Sequence, residues 1–182
     1  STKRNKFMEN QASSKNLILN YGLYYGLIIV FTNLLLYAAA MHLTTTGGLI
    51  NIGVLAICLI AFPIIGNSKF KKSNGGFLSW GQAVKIGVGI VLIGTLINVI
   101  YGRVFSTLIE PDFYTQVAEV QTQAYLESGL TEEQTEAQVA MQAKFQGTVI
   151  GDSLGLLFFA FLGFVSSAIA GAVMKRTEED NY

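Results

Sequence analysis

From Asn16 to Ser68 the chain carries no Lys, Arg, Asp or Glu. A transmembrane helix needs about 20 apolar residues to cross about 30 Å of hydrocarbon, so this run is too long for one helix. It is interrupted at Thr44-Thr45-Thr46-Gly47-Gly48, where β-branched residues meet paired glycines, and that predicts a turn. Span one then covers about 17–41 and span two about 49–65. Two later apolar runs predict span three at about 86–109 and span four at about 148–174. Polar tails over 1–16 and 175–182 flank a single membrane domain, 17–174. The pattern predicts an all-α integral membrane bundle of four transmembrane helices.

The one sizeable polar segment, 110–147, lies between spans three and four. Pro111 suits a first helical turn, and Phe113, Val117, Val120 and Ala124 recur at helical spacing. Ser128-Gly129 reads as a helix stop. Thr131 with Gln134 three positions later reads as a capping box that restarts a helix. Val139, Ala143 and Phe145 are expected to carry this second helix directly into span four. The segment is therefore predicted to be a helical hairpin standing on the membrane.

Charge changes the picture by giving it an orientation. Lys and Arg concentrate on the cytoplasmic side of membrane proteins. Here they are Lys3, Arg4, Lys6 and Lys15 in the first tail, Lys69, Lys71, Lys72 and Lys85 around the second connection, and Lys175-Arg176 at the end. The hairpin instead has Lys144 against seven acidic residues. Both termini are thus expected in the cytoplasm and the hairpin outside it, in a bacterial inner membrane. Tyr21, Tyr24, Tyr25 and Trp80 are expected as interface anchors on the inner side. Met8 offers an alternative start, in which case residues 1–7 would not be native.

Composition agrees with a bilayer as the solvent. Hydrophobic residues make up 51% of the chain and charged ones 13%, where a soluble domain carries about 25% charged. A single cysteine, Cys58, excludes an intramolecular disulfide, and a single histidine, His42, leaves no imidazole pair for zinc or haem. The acidic hairpin has no Ca²⁺-loop pattern. No phosphate-binding glycine loop, GxSxG elbow or HExxH helix is present. No catalytic, cofactor or metal residues are assigned.

The stretch Asn74-Gly75-Gly76-Phe77-Leu78-Ser79-Trp80-Gly81-Gln82-Ala83-Val84-Lys85 carries a family resemblance. So do Ile109-Glu110-Pro111-Asp112-Phe113 and Gly129-Leu130-Thr131-Glu132-Glu133-Gln134. In this order, around four spans, they resemble the uncharacterised DUF4199 membrane proteins of Bacteroidota-type bacteria. The resemblance runs from span one to Lys175-Arg176 and implies an inner-membrane location. It brings no catalytic residues. One departure is Gln146-Gly147-Thr148, where members of that family often carry a proline.

Polar groups inside the spans are the candidate chemistry, because ionisable side chains at membrane depth are rare and usually paired or functional. Arg103 lies about 10 Å below the end of span three, and Asp152 lies one turn into span four from the same side. An ion pair is predicted, either as a packing clamp or snorkelling pair or as part of ligand or ion handling. Asn33, Asn51 and Asn98 also fall in the spans, with His42 at the end of span one. Ordinary interhelical hydrogen bonds are the expected use of the asparagines, and an interfacial position that of His42. Gly22 and Gly26 of span one, with Gly151, Gly155, Gly163, Ser167 and Gly171 of span four, are the candidate helix-packing positions. Ser79 is a candidate N-cap, and Lys69, Lys71 and Lys72 suit anionic lipid.

The expected function is that of a non-catalytic accessory or scaffold subunit of a cell-envelope complex, with a glycosyltransferase or export machine as a conceivable client. The alternative is a small oligomeric transporter or channel using the polar cluster in the hairpin half. The expected partners are membrane lipid and another membrane protein or a second copy of the chain; nucleic acid is not among them.

Overall fold

The computed structural model describes residues 2–177, with side chains from residue 14 onward. The side chains of Lys3, Arg4 and Lys6 and the tail beyond Thr177 lie outside the described residues. Six α-helices follow one another: α1 (Thr2–Ala38), α2 (Thr45–Ser73), α3 (Trp80–Val104), α4 (Phe113–Glu127), α5 (Glu132–Ala143) and α6 (Val149–Met174). A π-helical turn, Phe105–Ile109, extends α3. Four segments are long and apolar enough to cross a bilayer: Ser14–Ala38, Thr45–Ser73, Trp80–Ile109 and Val149–Met174. The chain is built as a membrane protein.

Hydroxyl residues start most of these helices. Thr44 accepts from the Gly47 amide, and Thr148 from that of Gly151. Ser79 with Gln82 and Thr131 with Gln134 each form a complete capping box, which satisfies two otherwise unbonded donors reciprocally.

Boundaries differ from the apolar pattern in three places. Helix α2 runs through Lys69, Lys71 and Lys72 to Ser73 instead of stopping near 65. Tertiary anchoring explains this, because Phe70 is buried and Lys71 Nζ donates to the last carbonyl of α6, that of Met174, at 2.7 Å. Pro111 precedes α4 rather than opening its first turn. Helix α5 does not continue into α6, since Gly147 turns the chain at φ +66°, a left-handed value that glycine adopts freely. The residues read as an N-terminal tail are also helical, as part of α1.

Helix α3 is the centre of the bundle and packs on α1, α2 and α6. A Cβ on Gly22 or Gly26 of α1 would press on Ile93 or Ile97 of α3, at 2.5 and 2.8 Å. On the other side, Gly171, Ser167 and Gly163 of α6 meet Ala83, Gly87 and Val91 in antiparallel register, four residues per step. Small residues at this spacing let backbones approach closely. Toward the hairpin the contact ends: Gly102 and Gly155 face open space, and Gly151 serves the first turn of α6, beside the Phe145 carbonyl. Gly151 and Gly155 therefore do not pack against another helix within this chain. The bundle is tight at the end carrying the chain termini and splayed at the hairpin end.

The tight end is also tied by backbone. Leu78 and Arg176 exchange a pair of hydrogen bonds, each 2.9 Å, so the chain beyond α6 is fastened to the connection between α2 and α3.

Candidate functional site

The splayed end encloses a partly open cavity of about 300 Å³. Helical spacing builds its walls, since residues three or four apart share a face. Helix α1 contributes Tyr25, Ile29 and Asn33, and α2 contributes Asn51 and Leu55. Helix α3 contributes Thr95, Asn98, Tyr101 and Gly102, with Phe105 at the start of the π turn. Phe159 of α6 closes one side. Phe113 and Tyr114, at the start of α4, and His42, in the connection between α1 and α2, close the hairpin end.

Rings form a continuous edge-to-face train around this end. Tyr37 meets His42 at 4.9 Å and Phe105 at 5.1 Å between centroids, and Phe105 meets Phe113 at 5.3 Å. Such pairs hold a wall rigid beyond the area they bury. Glu110 fixes the same wall from outside: it accepts from Tyr37 Oη at 2.8 Å and from Gln116 Nε2 at 2.9 Å. The π turn that precedes Glu110 is the kind of helix irregularity that occurs often beside functional sites.

The polar lining is underused. Asn33 Nδ2 donates to Ile29 and Asn98 Nδ2 to Gly94, each a carbonyl of its own helix, and Thr95 Oγ1 does the same to Val91. Asn33 and Asn98 thus spend one N–H of each amide locally, and their oxygens point away from those carbonyls. Among the described residues, Tyr25 Oη, both ring nitrogens of His42 and Asn51 Oδ1 are buried without a hydrogen-bond partner. Buried polar atoms are ordinarily paired; Asn67, Gln121, Thr135 and Ser167 carry further such atoms elsewhere, but the cavity gathers those of three residues from three different segments.

The sequence-predicted residues divide in two. Asn33, Asn51 and Asn98 come together here, without the interhelical bonds expected of them. His42 lies in the connection at the end of α1 and turns its nitrogens into the protein. Tyr25 is not an interface anchor: it is 1% exposed, and at 1.5 Å per residue it lies about 16 Å along α1 from Ser14, near mid-span. Its ring packs on Gly94 and meets Phe62 edge-on at 5.7 Å. Tyr21 is half-buried against the core, whereas Tyr24 and Trp80 are exposed. Trp80 also donates to the Ala168 carbonyl at 3.1 Å.

Arg103 and Asp152 do meet, but outside the cavity. Arg103 Nε and Nη2 reach Asp152 Oδ2 at 2.8 and 2.6 Å, and Nη1 bonds the Gly147 carbonyl. Arg103 therefore ties α3 to the first turn of α6 and to the linker from α5. Asp152 is well placed there, at the positive end of the α6 dipole. Among the described residues no three His, Cys, Asp or Glu side chains gather as a metal site would require.

Sequence reasoning missed Tyr25, Tyr101, Phe105, Phe113 and Glu110. The four-residue spacing of Tyr25, Ile29 and Asn33 was the available signal.

A family model described as "Protein of unknown function (DUF4199)" matches residues 20–176. No curated protein and no solved structure matches the chain.

Proposed function

The chain belongs to the DUF4199 family, and we propose that it is a non-catalytic inner-membrane protein that serves as an accessory subunit of a cell-envelope complex. The observation that carries this reading is the hairpin of α4 and α5. Beyond its base it packs only on itself, and Thr135 is its one buried residue among those described. Helices of 15 and 12 residues are marginal in water on propensity alone. Val120, Leu126 and Met141 nevertheless stand exposed on them, and Phe145 stands exposed in the turn that follows. Apolar positions on an element held by so little of its own chain suit a docking surface for another membrane protein. The basic residues Lys69, Lys72, Lys85 and Arg176 at the opposite end support cytoplasmic termini and a hairpin outside the cytoplasm.

Purification in mild detergent from the source membrane should yield a stoichiometric partner, identified by mass spectrometry. Val120→Glu with Met141→Glu should release it while leaving the bundle folded. Repeated recovery of the chain alone would overturn the reading.

A second reading, a small oligomeric transporter or channel, is favoured by the gathering of Asn33, Asn51 and Asn98 on one cavity. It requires solute flux in vesicles containing the oligomer.

A further inference from the structure

We infer that the cavity at the splayed end is a binding site for a small uncharged molecule, one that presents hydroxyl or N–H donors on an apolar ring. Size comes first. A dry cavity of about 150 Å³ holds benzene, so one of about 300 Å³ takes a ring system about twice as large. The faces of Tyr101, Phe105, Phe113 and Phe159 suit such rings.

Charge comes next. No Asp, Glu, Lys or Arg lines the cavity. Glu110 is held by Tyr37 and Gln116, and Arg103 and Asp152 neutralise each other. An ionised ligand would lie without a counter-charge in a low-dielectric surrounding, which is strongly unfavourable.

Hydrogen-bonding sense then narrows the class. The acceptors include Asn51 Oδ1 and the amide oxygens of Asn33 and Asn98. The donors lining the cavity include the unpaired Tyr25 hydroxyl and the second N–H of the Asn33 and Asn98 amides. Asn51 Oδ1 is a pure acceptor buried without a protein partner, so the matching molecule brings at least one donor. Tyr25 Oη is the sharpest indicator: it sits on a side chain 1% exposed, lines the cavity, and has no protein partner among the described residues.

The cavity and the exposed hairpin faces are separate surfaces, so loss of the docking partner leaves this site intact.

The test uses the full chain in lipid nanodiscs and three naphthalene probes that differ in one substituent: 2-naphthol, 2-methoxynaphthalene and 2-naphthoate. Saturable binding, read by thermal shift and saturation-transfer NMR, should be clear for 2-naphthol and at least tenfold weaker for the other two. Tyr25→Phe should weaken 2-naphthol roughly tenfold, about 1.4 kcal/mol, and Asn51→Leu should act in the same direction. Neither should lower the melting temperature of the unliganded chain, because each removes an unpaired buried oxygen. Equal binding of the methoxy or carboxylate probe, no saturable binding of any probe, or unchanged affinity in Tyr25→Phe would each overturn the assignment. If Asn51→Leu fails to fold, the near-isosteric Tyr25→Phe decides alone.

Discussion

Arg103 shows how much one side chain can fasten. Three of its five N–H donors are engaged, two on Asp152 and one on the Gly147 carbonyl. The pair is about a third exposed, 39% and 29% for the two side chains, so its Coulomb energy is moderated by its surroundings. Its geometry is more specific than its energy. Lysine offers a compact point charge and cannot reproduce a planar fork. In a double-mutant cycle, Arg103→Ala and Asp152→Ala should be non-additive by about 1 kcal/mol, with Arg103→Lys retaining little of the coupling. SDS-titration midpoints measure this, and strictly additive losses would show that the contact contributes nothing. The linker is constrained at the same point. At Gly147 a Cβ would have to tolerate φ +66° and also press on the Tyr114 ring at 2.7 Å.

At the scale of a helix, Pro63 poses the clearest problem and the structure answers it. Proline has no N–H, so the carbonyl four residues earlier, that of Leu59, loses its partner within α2. In a bilayer no water is at hand to replace it. Ser166 of α6 does so, with Oγ donating to Leu59 O at 2.8 Å. Removal of that hydroxyl should cost about 1 kcal/mol. Ser153 is the natural control, because its hydroxyl bonds only Val149 of its own helix. Unfolding in SDS should therefore report a clear loss for Ser166→Ala and little for Ser153→Ala. Equal losses would mean that the link between α2 and α6 adds no stability. The same pairing of elements explains why α2 outlasts its apolar run, since its last turn is held by Phe70 and by Lys71 on α6.

For the whole molecule, the consequential feature is the taper. Small residues draw α3 against α1 and α6 at one end, while bulky rings line a cavity between the helices at the other. A cavity and a free-standing hairpin are thus consequences of one packing gradient. The proposed orientation is open to a direct check in a Cys58→Ala background. A membrane-impermeant maleimide added to cells with a permeable outer layer should label Gln138→Cys on α5. It should reach Lys72→Cys, at the end of α2, only once the inner membrane is opened. The reverse pattern would refute cytoplasmic termini.

The linear order of residues determined the four spans, the hairpin between the last two, and the caps at Ser79 and Thr131. Each of these is local: apolar length against bilayer thickness, or a hydroxyl three residues from an amide. It also held the Arg103–Asp152 encounter within reach, because rise per residue converts position into depth. Which faces meet is not a local property. Tyr25 shares an aromatic cluster with Tyr21 and Tyr24 in sequence, whereas its burial follows from Gly94 on a different helix. Gly151 and Gly155 shared a ladder with Gly163 and Gly171 in sequence, yet only the tertiary structure separates capping and open positions from packing ones. The cavity belongs to the same category. Its walls come from four spans, a connection and the hairpin base, and the unpaired state of Tyr25, His42 and Asn51 exists only once those elements have excluded one another's partners.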